Sequence, residues 1–238
     1  MKILAIDSSA TSAGVALVQD EKIIGESYIN TRLTHSSTLM PMIVSMMKCT
    51  EESISDIDYY AVSVGPGSFT GLRIGVATVK GMAMADNKQC VPVSTLEAIA
   101  YNYLGTDAVV CAVMDARCNQ FYNAIFKTSG TQVTRLCEDR ALSYNDLAED
   151  LLNNYRDTNI VLVGDGGSLA YKLLSPNVRN ITVAPSHLLF QKASGVAAVA
   201  SKLIAHNKTV TPATLIPSYL RLPQAERELK KKLAEKSK

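Results

Sequence analysis

Short apolar runs closed by Gly, Pro, Asp or Asn alternate along the chain with longer stretches in which apolar positions recur every three or four residues. The first kind reads as strand and the second as helix. Residues 2–6 form a first buried strand. Strands 14–18 and 22–28 follow, with Asp20-Glu21 between them as a tight hairpin turn. A helix is predicted over 36–49, with Pro41 near its first turn, where a missing N–H costs little. Strand 58–64 runs into Gly65-Pro66-Gly67, and helix 70–85 begins near Ser68 or Phe69. Strand 90–93 leads to Ser94 or Thr95, either of which can cap a helix reaching residue 104.

The second half repeats the order. Strands are predicted over 108–115, 120–127 and 132–138, a helix over 143–155, and a strand over 159–163 ending in Gly164-Asp165-Gly166-Gly167. A helix follows, then further helices over 194–206 and 222–236. The unit β-β-β-α-β-α therefore occurs twice. Asp7-Ser8-Ser9 and Asp115-Ala116-Arg117 stand at matching places, just after the first strand of each copy. A repeat of this kind predicts an α/β protein of two similar lobes with a cleft between them. That is the architecture of the actin-like (ASKHA, ribonuclease H-like) superfamily. The expected division is a first lobe over 1–104, a second over 105–212, and a closing segment over 213–238 whose basic helical tail packs back on the first lobe.

Composition narrows the picture by exclusion. The 238 residues are 47% hydrophobic and 19% charged, ordinary for a globular protein. The opening apolar run is interrupted by Asp7, and no stretch reads as the roughly 20 apolar residues of a membrane span, so a cytoplasmic protein with no membrane contact is expected. Five cysteines without a CxxC pair read as reduced thiols. A net charge of +2 does not favour unaided nucleic-acid binding, although residues 224–238 carry six Lys/Arg against three Glu. That tail is either a solvated helix or a modest RNA or partner contact.

Three constellations carry candidate chemistry. Asp7, Ser8 and Ser9 occupy the loop that faces nucleotide phosphates in actin-like folds, or simply form a polar hairpin turn. Gly65, Gly67 and Ser68 sit between a buried strand and a helix, where backbone N–H groups can meet an anion, or where the turn only allows close packing. The third is the pair of first-lobe helices. Seven of the nine residues over 39–47 are apolar, so this helix is expected to lose water on both faces. The next helix places Gly71, Gly75 and Thr78 on one side, a spacing that admits a second helix. Either both helices are internal to one domain, or they form an interface with another chain. The three histidines, His35, His187 and His206, form no HxxxH or HExxH pair.

These residues resemble the bacterial TsaB (YeaZ) family of tRNA threonylcarbamoyladenosine biosynthesis proteins. The likeness runs through Ile3–Ser9 (ILAIDSS), His35-Ser36, and most densely Gly65-Pro66-Gly67-Ser68-Phe69-Thr70-Gly71-Leu72-Arg73-Ile74-Gly75. It continues through Val93-Ser94-Thr95-Leu96-Glu97, Asp115-Ala116-Arg117, Gly164-Asp165-Gly166 and Pro217-Ser218-Tyr219-Leu220-Arg221. The chain departs from the pattern at Ser37 and at Asn119-Gln120.

The resemblance implies a non-catalytic paralogue of the threonylcarbamoyl transferase TsaD, needed to modify adenosine 37 of tRNAs that read codons beginning with A. In the catalytic paralogue an HxxxH pair holds the metal; Thr95 and Ile99 stand at those positions here, and neither can replace an imidazole. The expected partners are the transferase, a TsaE-like ATPase and, through the complex, tRNA, with a homodimer through the same helices as an alternative pairing. The interface expected is His35, Leu39, Met42, Ile43, Met46, Leu72, Gly75, Val76 and Val79. Asp7, Ser8, Ser9, Gly65, Gly67, Ser68, Asp115 and Arg117 would be vestigial cleft contacts. No cofactor of its own is expected, with ATP or ADP only at a shared interface. The competing reading is a free-standing nucleotide-dependent kinase using Asp7, Ser9, Gly67 and Asp115; a metalloprotease would need the absent HxxxH.

Overall fold

The computed structural model describes residues 1–31 and 33–221, so the helix expected over 222–236 lies outside the described residues. Two sheets dominate. The first is built from β1 (Lys2–Asp7), β2 (Ser12–Gln19), β3 (Lys22–Asn30), β4 (Tyr59–Gly65) and β5 (Gln89–Ser94), with α1 (His35–Thr50), α2 (Phe69–Ala85) and α3 (Thr95–Ala100) between and after them. The second comprises β6 (Ala108–Asp115), β7 (Gln120–Ser129), β8 (Gln132–Arg135), β9 (Arg140–Ser143), β10 (Ile160–Val163) and β11 (Ile181–Val183). Its helices are α4 (Tyr144–Asn154) and α5 (Gly167–Leu174), and the chain continues through α6 (Ser186–Leu189) and α7 (Ala193–Ala205).

The first sheet runs β3-β2-β1-β4-β5 and the second β11-β10-β6-β7-β8, the same order read from the opposite edge. β1 is antiparallel to β2 and parallel to β4, and β6 is likewise antiparallel to β7 and parallel to β10. These are the two actin-like lobes that the repeat predicts.

Both sheets are covered on both faces, and so their central strands are apolar without a break. Leu4 and Ile6 of β1 point into one core with α1 and α2, while Ile3 and Ala5 point to the other. That second core is sealed by Val196, Ala197, Val199 and Ala200 of α7. The expected boundary of the second lobe at residue 212 is therefore corrected: at Ala193 the chain returns to the first lobe, because the far face of the first sheet needs an apolar cover that α1 and α2 cannot reach. A Glu26 carboxylate on β3 accepts from the Ser194 N–H at 2.9 Å and holds the start of α7.

One stretch, Ser186–Ala205, is long and apolar enough by composition to cross a membrane, which corrects the expectation that none is. It consists of two helices broken at 190–192, and α7 spends its apolar face on the first sheet. The strand predicted over 132–138 stops at Arg135, and a further strand that the pattern did not predict, β9 at Arg140–Ser143, also pairs with β7. Between them Asp139 turns inward to accept from Ser94 Oγ at 2.6 Å, which removes it from the ladder.

The largest correction concerns α1 and α2. Leu39, Met42, Ile43, Met46, Val76 and Val79, expected to meet a partner, are buried in the first lobe's core, and Leu72 is fully buried beside Gly65 at the end of β4. Gly75 is buried too. A Cβ there would collide with Ser8 Oγ, and one at Gly71 with the Ser8 carbonyl oxygen. The small residues of α2 thus admit the loop after β1, not a foreign helix. The outward faces carry Met40 (45% exposed), Val44 (62%) and Met84 (64%), with Pro41, Ala77 and Gly81 exposed beside them.

Two glycines on one helix test this orientation. A Cβ at Gly81 meets nothing within 4 Å. Gly81→Ala is expected to stabilise the protein by about 0.5–1 kcal/mol, through lost backbone entropy in the unfolded chain. Gly75→Ala should cost about 1–3 kcal/mol by overpacking against Ser8. Urea unfolding of the two variants checks the pair; equal effects would mean that α2 is turned differently.

Candidate functional site: the inter-lobe cleft and the helical face of the first lobe

Four loops meet where the lobes face each other. They are the β1–β2 hairpin, the β4–α2 turn, the β6–β7 hairpin and the β10–α5 turn, each at the same end of equivalent strands. The two strand-to-helix turns open with glycines in the left-handed half of backbone space, Gly65 at φ 135° and Gly164 at φ 117°. A side chain at Gly65 would strike the Ser218 carbonyl, and one at Gly164 the Val113 carbonyl. The cavity enclosed by these loops has a volume of about 430 Å³, and its walls include Ser9, Thr11, Gly67, Ser68, Phe69, Asp115, Arg117, Tyr122, Asp165 and Arg221.

Asp7 is not a cleft group. It is 1% exposed, and both carboxylate oxygens are taken within the chain. Oδ1 accepts from the Ser9 N–H at 3.0 Å and the Ser9 hydroxyl at 2.8 Å, and Oδ2 accepts from the Ser63 hydroxyl. Burial raises its pKa, and these hydrogen bonds oppose the rise. The expectation that Asp7 is a cleft contact facing a phosphate is therefore corrected: it is a strut between the first loop and β4. Ser8 is likewise spent, its hydroxyl donating to the Gly71 carbonyl at 2.9 Å. Ser9 is fully buried yet borders the cavity, and its carbonyl accepts from the Ser68 N–H at 2.7 Å.

Ser68 caps α2, its hydroxyl accepting from the Gly71 N–H at 3.3 Å. Gly67 lies against Ser9 with no room for a side chain. Gly65 is set back behind them, against Ser218. Across the cleft, Asp115 and Arg117 pair with each other at 3.1 Å. The Arg117 N–H also donates to Asp115 at 2.8 Å. Arg117, Cys118 and Asn119 are all at positive φ (61°, 53° and 57°), the sharp return of the β6–β7 hairpin.

Sequence reasoning passed over Thr11, Phe69, Tyr122, Asp165 and Arg221 as site residues. Asp165 and Arg221 belong to family-like motifs, but only folding brings them to one cavity. Burial pushes the Asp165 carboxyl up to about 6, with Asp115 and Asp7 adding repulsion. The Gln191 amide donates to it at 3.0 Å and works the other way. Gln191 Oε1 has no partner among the described residues.

His35 leaves the expected interface. Its Nε2 lies 2.7 Å from the Ala10 carbonyl, so it ties the start of α1 to the first loop. Thr95 and Ile99 are wholly buried in α3 between the lobes, and the Thr95 hydroxyl has no partner among the described residues. No group of three or more His, Cys, Asp or Glu side chains among the described residues could hold a metal ion.

Comparison with known proteins places this geometry. The sequence profile of the family described as "TsaD: tRNA N6-adenosine threonylcarbamoyltransferase" matches residues 23–229. The tRNA threonylcarbamoyladenosine biosynthesis protein TsaB of Bacillus subtilis is 28% identical over 235 residues, covering 95% of this chain and 96% of the relative. The Escherichia coli protein of the same name is 27% identical, covering 93% and 95%. The crystal structure of a Pseudomonas aeruginosa protein described as similar to peptidase YEAZ superposes with a TM-score of 0.80 at 24% identity, covering 92% of this chain and 99% of that one.

The raised Asp165 carboxyl makes a signed prediction. An acid whose folded pKa lies above its unfolded value of 3.8 contributes stability below about pH 4 that is lost as pH rises through about 6. Asp165→Asn should therefore be more stable than the parent at pH 7, by roughly 1–2 kcal/mol, with the gain vanishing near pH 4. Thermal melts across pH 4–8 check this; a pH-independent difference would mean that the carboxyl is not held in its protonated form by burial.

Proposed function

Because the chain belongs to the TsaB/YeaZ family, within the family of the tRNA N6-adenosine threonylcarbamoyltransferases, we propose that it serves threonylcarbamoyl modification of tRNA as a non-catalytic subunit. It would bind a TsaD-like transferase through the outward faces of α1 and α2. The observation that carries this reading is the exposure of Met40, Val44 and Met84 on helices whose inward faces already complete a core. Large exposed apolar side chains on two helices packed together, with small Ala77 and Gly81 exposed on α2, suit a helix-on-helix contact. Methionines adapt to the surface that covers them.

In this reading the subunit fixes the conformation of the transferase and completes a surface for a TsaE-like ATPase, and tRNA is met through the complex. When the transferase is absent the same faces can pair two copies of this chain. The buried Thr95 and Ile99 give the position no metal-binding donors of the kind the transferase needs. A kinase would need Asp7 free to meet a metal–nucleotide, and its oxygens are already hydrogen-bonded. Any ATP or ADP would then lie at the surface shared with the partner.

The test uses residues that fold does not need. Val44→Glu and Ala77→Glu should leave the melting temperature unchanged. Each should weaken titrated binding to the transferase roughly 100-fold, the loss of about 2–3 kcal/mol of apolar burial. A modification assay with and without the subunit should fall in step. Wild-type affinity in both variants would remove the partner from this face.

A further inference from the structure

The segment after α7 is built in two parts. Its first part is anchored in the first lobe. Val210 bridges to Cys90, and Leu215 is 1% exposed in the core beneath α2. Lys80 Nζ donates to the carbonyls of Ala213 and Leu215 at 3.3 and 3.1 Å. The Ser218 N–H donates to the Val64 carbonyl at 2.7 Å, at the end of β4.

From Ser218 onward burial gives out, and contacts of another kind take over. Ser218, Tyr219 and Leu220 are exposed. The Tyr219 ring stacks on Phe69 with centroids 4.4 Å apart. Arg73 Nε donates to the Tyr219 hydroxyl at 2.9 Å, with its guanidinium 5.8 Å from the ring centre. Arg221 then crosses to the other lobe and donates to the Ala116 carbonyl at 2.6 Å and the Arg117 carbonyl at 3.4 Å.

Phe69 and Arg221 belong to the cleft wall. Arg73 belongs to the exposed side of α2, one turn from Ala77. Tyr219 touches both Phe69 and Arg73, and lies two residues from the only clamp that this segment places on the second lobe among the described residues.

We propose that residues 218–221 are a latch that clamps the two lobes across the cleft, and that the exposed face of α2 controls it through Arg73. An acceptor brought to Arg73, such as a carboxylate or backbone carbonyl of a protein seated on α2, competes with the Tyr219 hydroxyl. Losing that bond loosens the stack on Phe69 and, through it, the hold of Arg221 on the β6–β7 hairpin. This last step rests on the partner reading above; the latch itself does not. The Arg73–Tyr219 bond is exposed and the Arg221–Ala116 bond only part-buried, and neither involves Leu215, so the latch opens without disturbing the Leu215 anchor.

Hydrogen exchange on the full chain alone tests the latch, followed in peptides from the arm (216–221) and from the hairpin of the second lobe (115–121). Among the described residues no hydrogen bond or ion pair joins Arg73 to that hairpin, so a merely local role would leave it unmoved. Arg73→Ala is expected to speed exchange in both regions roughly three- to tenfold, while α4 and α7 stay as they were. Tyr219→Phe, which keeps the stack and loses only the hydroxyl, should act in the same direction. Arg221→Ala should speed the hairpin most. An unmoved hairpin in Arg73→Ala and Tyr219→Phe overturns the proposal, and so does a uniform rise across the second lobe. No partner is present, so this outcome is read separately from the transferase titration.

Discussion

Most of what this protein presents to its surroundings follows from how closely α2 is drawn onto the loop after β1. Gly71 and Gly75 leave no side chain between the helix and Ser8, whose hydroxyl donates to the Gly71 carbonyl. Behind that contact stands Asp7, which joins Ser9 to Ser63 and so joins the loop to β4. The contact sets the rotation of α2 about its own axis. Leu72, Val76 and Val79 must then face inward, and Arg73, Ala77, Gly81 and Met84 must face out. The same contact carries the first turn of α2 to the cleft, with Phe69 in its wall.

The two lobes share a strand order and the left-handed glycines that end β4 and β10, yet their matching acidic residues have parted. Asp7 is buried and fully engaged; Asp115 is partly exposed and paired with Arg117. The difference is one of surroundings, because Ser9 and Ser63 are donors that the second lobe does not place beside Asp115. Between the lobes, α3 shares its side chains, with Ala98 in the first lobe's core and Leu96, Ile99 and Ala100 in the second's. Its first turn is pinned by Arg135, which reaches Glu97 at 3.1 Å and Asp139 at 2.5 Å while lying over the Phe126 ring. A site at Thr95 thus sits inside packed apolar and ion-paired structure.

The chain beyond the second lobe ties the molecule together twice. Helix α7 closes the far side of the first sheet, and the segment after it returns along α2 to the cleft. The cleft, the outward face of α2 and the end of the described chain are consequently neighbours in space, although Arg73 and Tyr219 are 146 positions apart in sequence.

The sequence by itself determined the two-fold repeat, the family and the main elements, though not the short strands β9 and β11. These depend on hydrophobic period, turn chemistry and a dense local motif, all written in neighbouring residues. It also marked α1 and α2 as too apolar for an ordinary surface helix. Only the tertiary structure decided which face of each helix is spent on the core, because Met40 and Met42, or Val76 and Ala77, differ little in apolar character and only the rotation set at Ser8 separates them. The same holds for the cleft. Asp7 reads as a ligand until Ser63 is folded against it, and Asp165 and Arg221 stand in separate motifs until long-range contacts bring them to one cavity. Period and motif are properties of nearby positions, whereas burial and donor placement belong to residues that meet only when both sheets are formed.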